Sequence, residues 1–340
     1  MLGLASLSLL SLCGLTVAQD LGVPLNWRKF SNDRPDAEII SISEAAIDAI
    51  LPKLKADIGE FDGIGYWQSG NVWASMANED YRAGTSKYRD QVVSQLKNVF
   101  SLRANYDQWG VSAQSLLRFI ETMAGGVFWK TDPADNAINS ITTTLYMTLS
   151  AYLGEATGDS KYISAAMLSA NWVRDLNMKD NLVLDTIHAN DCSRSPDNWL
   201  FTYNSGKFLE GLEILVDLTD DEGYRSLAAN VANSAMKTGA WNRDDGVITE
   251  GASPNENNDN VGFKSILIRA LDETYNRRKG DNEALRILIH SYVCVQMNAL
   301  LDLAADGNNY SSAWAGPAQG FTTWGQMAAL DVFVAAINAA

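Results

Sequence analysis

The chain has 340 residues, 46% of them hydrophobic, enough to bury a large core in one big domain or two ordinary ones, and no linker divides it. Its formal net charge of −15 excludes nucleic acid and anionic membranes as partners, since both would repel it. Beyond the first eighteen residues only Cys192 and Cys294 remain, which excludes a disulfide scaffold, although an oxidising compartment would permit one bridge.

Residues 1–18 are uncharged and apolar, Leu-rich, and end Thr16-Val17-Ala18 before Gln19-Asp20. Small residues at Thr16 and Ala18 suit signal-peptidase cleavage, and the run is short for a membrane span. A secretory signal peptide is therefore expected at 1–18 and a single domain at 19–340. Asn309-Tyr310-Ser311 is a glycosylation sequon beside the turn-like Asp306-Gly307-Asn308. The C-terminal stretch from Leu330 lacks the spacer and long apolar tail of a lipid-anchor signal, so free, extracellular secretion is expected. The expected state is a monomer.

From Glu38 to Lys55 apolar residues recur at helical spacing (Ile42, Ala45, Ala46, Ala49, Ile50, Leu54), with Ser41 as the candidate cap and Gly59 following. Further helices are predicted over 66–81, 87–102, 139–157, 160–176, 204–218, 222–238, 261–278, 282–303 and 323–338. Period-two strand patterns are nearly absent, so the chain reads as all-α.

An internal repeat orders these helices. Gly84-Thr85-Ser86-Lys87-Tyr88, Gly158-Asp159-Ser160-Lys161-Tyr162 and Asp220-Asp221-Glu222-Gly223-Tyr224 each mark the tight turn of an antiparallel helix pair, with the Tyr expected to pack back on the second helix. Tyr162 and Tyr224 are 62 residues apart but Tyr88 and Tyr162 are 74 apart. That interval is either one repeat with a loop or two repeats shortened by roughly 50 residues.

The first helix of each pair opens with a polar and aromatic cluster: Tyr66-Trp67-Gln68 with Asn71 and Trp73, Asn139-Ser140, Thr202-Tyr203-Asn204, Asn260 with Phe263-Lys264, and Thr322-Thr323-Trp324 with Gln326. Rings of helical hairpins commonly hold six, with inner-helix N-termini converging on one cleft where free N–H groups and helix dipoles favour anions and hydroxyls. Five openings are present, and the sixth would lie between Tyr106 and Gly125. The surrounding stretch, residues 105–129, sets aromatic residues among Gly, Asn and Asp. That composition suits either a cleft for a polar, ring-shaped ligand such as a sugar or plain connecting loops.

Gly125-Gly126-Val127-Phe128-Trp129, Asn139-Ser140-Ile141, residues 199–206 (Trp-Leu-Phe-Thr-Tyr-Asn-Ser-Gly), Thr249-Glu250-Gly251, Gly262-Phe263-Lys264 and residues 312–317 (Ser-Ala-Trp-Ala-Gly-Pro) resemble glycoside hydrolase family 76, especially its secreted fungal members. The resemblance spans about residues 20–338. It implies an all-α (α/α)6 barrel, or toroid, and retaining endo-hydrolysis of α-1,6-mannan without metal or organic cofactor. It also implies two consecutive aspartates opening an inner helix, followed soon by Trp-Trp. Here Asn105-Tyr106-Asp107-Gln108-Trp109-Gly110 runs into Val111-Ser112-Ala113-Gln114-Ser115 with neither pair, so one helical hairpin is expected to be truncated.

Retaining hydrolysis needs two carboxyl groups, one as nucleophile and one as acid then base. Asp107 is the remaining catalytic candidate, either acting directly or shaping the cleft. Asp220-Asp221 reads as a helix cap and Asp244-Asp245-Gly246 as a tight turn. The residues expected to bind substrate are Trp67, Asn71, Trp73, Tyr106, Phe128, Trp129, Asn139, Tyr203, Asn204, Glu250, Phe263, Lys264 and Trp324. Glu250 is either a sugar ligand or a buried hydrogen-bonded loop residue, and Lys264 either binds a hydroxyl or pairs with a carboxylate. His188 and His290 stand alone, without zinc-site spacing. Three functions fit: a secreted α-1,6-mannanase by descent that hydrolyses negligibly, a non-catalytic mannan-binding protein, or a helical-barrel enzyme using other acids. Cys192, in a loop, and Cys294, on an apolar helix, are not expected to pair.

Overall fold

The computed structural model describes residues 20–102, 124–252 and 257–340. These form ten α-helices: α1 (Asp36–Ile50), α2 (Tyr66–Ala83), α3 (Arg89–Leu102), α4 (Ser140–Thr157), α5 (Ser160–Leu176), α6 (Thr202–Thr219), α7 (Glu222–Lys237), α8 (Asn260–Arg277), α9 (Glu283–Ala299) and α10 (Thr323–Ala339). Every predicted helix is present to within a few residues. The first starts earlier than expected, at Asp36, with Ser41 inside it, and ends at Ile50, so that Leu54 lies in a short strand rather than on the helix. Pro35 is extended there (φ −61°, ψ 146°), and Asp36 and Glu38 place negative charge in the first turn, where the helix dipole favours it.

The repeat turns are alike in backbone as well as sequence. Helices α2, α4 and α6 end in left-handed residues, Gly84 (φ 67°), Gly158 (φ 69°) and Asp220 (φ 52°), so the chain reverses within a few residues. Asp159 and Asp221 then cap α5 and α7 with their side chains, Asp221 accepting from the N–H groups of Gly223 and Tyr224. The tyrosines reach the preceding repeat as well. Tyr88 donates to Asp48 Oδ1 (3.1 Å) on α1, and Tyr224 to Asn171 Oδ1 (3.1 Å) on α5, so their hydroxyls tie neighbouring hairpins together.

Helices α2, α4, α6, α8 and α10 make an inner layer, in which α2 packs on α10, α10 on α8, α8 on α6 and α6 on α4. The other five lie outside, α1 against α10, α3 against α2, α5 against α4, α7 against α6, and α9 against both α8 and α10. Inner helices must be apolar or small on most sides, and α10 is buried without interruption over residues 325–337. Close approach needs missing side chains: a Cβ on Gly206 of α6 would lie 2.8 Å from the Leu267 Cα of α8. Buried ion pairs tie the layer together, Arg269 with Asp331 (2.8 Å) joining α8 to α10, and Arg82 with Asp272 (2.9 Å) joining α2 to α8.

The inner helices begin at residues 66, 140, 202, 260 and 323. The long first step contains residues 103–123, so the expected hairpin truncation lies outside the described residues. Leu145 and Leu149, on inner helix α4, are 48% and 59% exposed, and Val93, Phe100 and Leu102 of α3 are exposed too. Among the described residues, strands are limited to four two-stranded antiparallel ladders of two or three residues, too short to leave a period-two signal. The longest pairs Ala137–Asn139 with Thr186–His188 and leads directly into α4.

Candidate functional site

Four of the five polar and aromatic openings meet at one end of the inner layer. A cleft of about 390 Å³ is lined there by Trp129, Ala137, Asn139, Asp185, Thr186, Trp199, Phe201, Tyr203, Asp259, Asn260 and Phe263. Phe263, in the first turn of α8, is its aromatic centre. It stacks on Tyr203 of α6 (ring centroids 3.9 Å apart, planes at 15°), meets Phe201 edge-on at 5.7 Å, and lies 6.1 Å from Trp67 of α2. Trp129 and Trp199 stand half-exposed, at 52% and 51%. Gln68 Nε2 donates to Asp259 Oδ1 at 2.7 Å, which pins the start of α2 to that of α8.

The cleft holds a carboxylate that the sequence reading did not single out. Asp185 is 9% exposed and follows the apolar run Leu182-Val183-Leu184. Its Oδ1 accepts from Asn204 Nδ2 (3.1 Å), and its Oδ2 from Thr186 Oγ1 (3.0 Å) and Asn139 Nδ2 (3.4 Å). Asn139 also caps α4, accepting from the Thr142 N–H. Three neutral donors therefore fix the carboxylate without neutralising it, and it keeps the capacity to accept from ligand hydroxyls. The sequence signal was a charged residue directly after three apolar ones, which predicts burial with partners, but of those partners only Thr186 is adjacent, while Asn139 lies 46 residues before it and Asn204 19 after.

Several expected ligand residues have other work. Glu250 accepts from the Thr202 backbone N–H at 3.0 Å and from the Thr202 hydroxyl, so it caps α6 from a distant loop. Burial pushes its carboxyl up to about 7. Lys264 neither faces the cleft nor hydrogen-bonds a carboxylate. Fully buried, it donates to the peptide oxygens of Glu250 (3.0 Å) and Ser312 and lies 4.7 Å from the Trp314 ring centroid. The same desolvation brings its ammonium down to about 7.

Trp73 is buried, packed on Phe61, with its indole N–H on the Gly59 carbonyl (2.9 Å), because its position on α2 faces α3 and the 54–61 turn rather than the cleft. Asn71 accepts from Arg269 Nη1 (2.9 Å) and so belongs to the ion-paired interior of the inner layer. Phe128 is core, its peptide bridged to Ile138. Asn204 is fully buried and acts on the cleft through Asp185. Trp324 packs half-buried on the core, and its neighbours are structural: Thr322 caps α10, Thr323 donates to the Asp62 carbonyl, and Gln326 to that of Ala46. The fifth opening thus does not line the cleft. Tyr106 and Asp107 lie outside the described residues.

Both Asp-Asp pairs of the chain are accounted for away from the cleft. Asp221 caps α7, as expected, and Asp245 lies in the Arg243-to-Val247 turn, where Gly246 has φ 83°. Cys192 and Cys294 are free, as expected, one exposed and the other buried.

Layered helices whose inner N-termini gather round an aromatic, carboxylate-bearing cleft define an all-helical protein with a site suited to a polar, ring-shaped ligand. A family model described as glycosyl hydrolase family 76 matches residues 100–340, and the chain belongs to that family. It is 22% identical over 270 residues to the mannan endo-1,6-alpha-mannosidase DCW1 of Candida glabrata, a match covering 64% of this chain and 60% of that protein's length. Among solved structures it resembles an α-1,6-mannanase of Salegentibacter sp. (TM-score 0.75, 18% identity, covering 88% of this chain and 98% of that one). That structure is an inactive variant with two consecutive aspartates replaced by alanine, in complex with alpha-1,6-mannotetrose. It also resembles Dfg5 from Chaetomium thermophilum in complex with glucosamine (TM-score 0.71, 14% identity, covering 91% and 92% of the two chains).

Proposed function

We propose that this protein is a secreted member of the family that holds α-1,6-linked mannose chains in the aromatic cleft and hydrolyses them negligibly. The observation that carries this reading is a mismatch within the site. Stacking surfaces are in place at the half-exposed Trp129 and Trp199, and Asp185 is held ready for hydroxyls. Against this, the only Asp-Asp pairs in the sequence are those at the two turns. Retaining hydrolysis needs carboxyl groups about 5–5.5 Å apart in two roles. The cleft's own carboxylates, Asp185 and Asp259, are not consecutive and are each held by an amide donor, Asn204 and Gln68, and Asp107 cannot be nucleophile and acid for the same bond. General acid–base assistance alone contributes about 10²- to 10⁴-fold. The Salegentibacter variant lacking both aspartates is described as inactive yet carries a bound tetrasaccharide, which supports separating binding from turnover. Secretion rests on the leader-like residues 1–18.

The test is paired: calorimetric binding of α-1,6-mannotetraose, and reducing-end release from α-1,6-mannan by the same preparation beside Asp107→Asn. Binding without release is the expected result. Robust release by the parent chain refutes it, and loss of that release in Asp107→Asn would identify one catalytic carboxylate. Absence of binding would sink the glycan reading of the cleft.

A further inference from the structure

The sequon Asn309-Tyr310-Ser311 lies in a hairpin that takes no part in lining the cleft. Strands Ala305–Asp306 and Asn309–Tyr310 pair antiparallel, with Asp306 opposite Asn309 and Ala305 opposite Tyr310. Side chains alternate between the two faces of such a ladder. Tyr310 points inward, 4% exposed and with its ring centroid 4.6 Å from that of Phe333 on α10, so Asn309 shares the outer face with the exposed Asp306. Gly307 and Asn308 at the tip are exposed as well. Gln326 of α10 fixes the hairpin by its backbone, accepting from the Tyr310 N–H and donating to the Asn308 carbonyl, both at 3.0 Å. The side-chain amide of Asn309 makes no hydrogen bond among the described residues, which leaves its nitrogen open to modification.

Ser311 is in the opposite condition. It is 1% exposed, its N–H donates to the Ala304 carbonyl (3.0 Å), and its hydroxyl accepts from the Ala313 N–H (3.0 Å). Because an acceptor sequence demands Ser or Thr at this place, the glycosylating enzyme must reach that hydroxyl. The folded protein therefore presents the amide nitrogen and closes off the hydroxyl. The closure depends on α10, whose Gln326 comes 16 residues after Tyr310. A chain entering the secretory compartment thus offers the complete sequon before the helix that hides part of it has been made.

We infer that Asn309 is an N-glycosylation site, modified before residues 305–311 dock on α10 and closed to the transferase afterwards. The inference rests on secretion as proposed above and is independent of what the cleft binds. The co-substrate is an oligosaccharide linked to a lipid diphosphate. Asn309 Nδ2 attacks its anomeric carbon, the C–N bond forms as the C–O bond to diphosphate breaks, the lipid diphosphate leaves, and one amide proton passes to a base of the transferase. The glycan then stands on the outer face of the hairpin beside Asp306, where it displaces no packed side chain.

The experiment expresses the full chain in a eukaryotic secretory host, once with its own residues 1–18 and once with an established secretory leader in their place. Peptide mass spectrometry before and after enzymatic deglycosylation is expected to find an N-glycan on Asn309, lost in both Asn309→Gln and Ser311→Ala. Ser311 is buried, so Asn309→Gln, on the outer face, keeps the result separate from any folding defect. In a second arm, folded protein made in bacteria and a short peptide spanning residues 303–315 are each given purified transferase and the lipid-linked oligosaccharide. The peptide should be modified about tenfold faster or more, because the folded chain must first open locally. A secreted chain with Asn309 unmodified, or a glycan that persists in Asn309→Gln, overturns the site, and equal rates for peptide and folded chain overturn the timing. If only the established leader yields glycosylated protein, the secretion reading falls while the site stands.

Discussion

Asn204, buried in the first turn of α6, donates its amide to Asp185 Oδ1 at 3.1 Å and holds that carboxylate at the edge of the cleft. The pair explains a division of labour among the residues that open α6. Tyr203 presents its ring to Phe263, Thr202 takes the cap from Glu250, and Asn204 orients an acid nineteen residues earlier in the chain.

Removing the charge while keeping the shape tests this. Asp185→Asn should weaken binding of α-1,6-mannotetraose by about 10- to 100-fold, since hydrogen bonds to a charged acceptor contribute about 1.5–3 kcal/mol. Asn204→Leu should have an effect of the same order and also lower thermal stability, because it leaves Asp185 short of a donor. Titration calorimetry and thermal melts on both variants read this out. Unchanged affinity in Asp185→Asn would remove Asp185 from the site.

Trp129 is half-exposed and outside the core, unlike its neighbour Phe128. Trp129→Ala should therefore reduce affinity for the glycan about tenfold with little change in melting temperature. Phe128→Ala should cost about 3–5 kcal/mol of stability, as large-to-small core changes do. A chemical-denaturation series separates the two, and a large loss of stability in Trp129→Ala would contradict this placement.

The buried pair Arg269 and Asp331 ties α8 to α10 at 2.8 Å, with both side chains largely shielded from water. Arg269→Met leaves a buried carboxylate uncompensated and should cost about 3–5 kcal/mol. Adding Asp331→Leu to it should restore most of that loss, because two apolar groups replace two ions. Urea melts of the single and double variants measure the difference, and equal midpoints for the two would refute the assignment.

Burial raises the carboxyl groups of Glu79, Glu213, Glu250 and Asp272 to about 7. A carboxyl with a raised folded value binds its proton more tightly in the native state, so stability is greatest below the unfolded values and falls as pH rises through the interval from about 4 to 7. Lys264, lowered to about 7, acts in a higher window: between about 7 and 10.5 the unfolded chain binds the extra proton, so its contribution rises with pH there. The melting temperature should therefore be higher at pH 5 than at pH 7. Glu79, whose hydrogen-bond partner is the neutral Ser43 hydroxyl, offers a direct check. Glu79→Gln should flatten that slope and raise the melting temperature at pH 7 by about 2–4 °C, the order expected for 1 kcal/mol. A pH profile identical to the parent's would refute its role.

Leu145 and Leu149 lie one turn apart on α4 and expose apolar surface where an inner helix is normally covered. Replacing both by Glu should lower binding of a hydrophobic dye and reduce aggregation, with stability changed by no more than about 0.5 kcal/mol per site. A collapse in stability would show that these side chains are packed.

Helix positions, the repeat turns and the family were legible in the sequence because each rests on local chemistry. Apolar residues at helical spacing need a face to bury, and Gly84, Gly158 and Asp220 terminate helices by their own backbone conformation. That no Asp-Asp pair stands between Asn105 and Gly125 is likewise a fact of the sequence. Which aromatic and polar residues face the cleft was decided only in three dimensions. Trp73 and Trp129 carry the same side chain, yet helix phase turns the first into the core and a loop presents the second to solvent. Glu250 and Lys264, both plausible sugar ligands in one dimension, are consumed by a helix end and by peptide oxygens that folding brings beside them. Asp185 carries no motif of its own. Its side chain is fixed by Thr186, its neighbour in sequence, and by Asn139 and Asn204, which only folding brings beside it, and buried polar atoms are satisfied by whatever partners lie close in space.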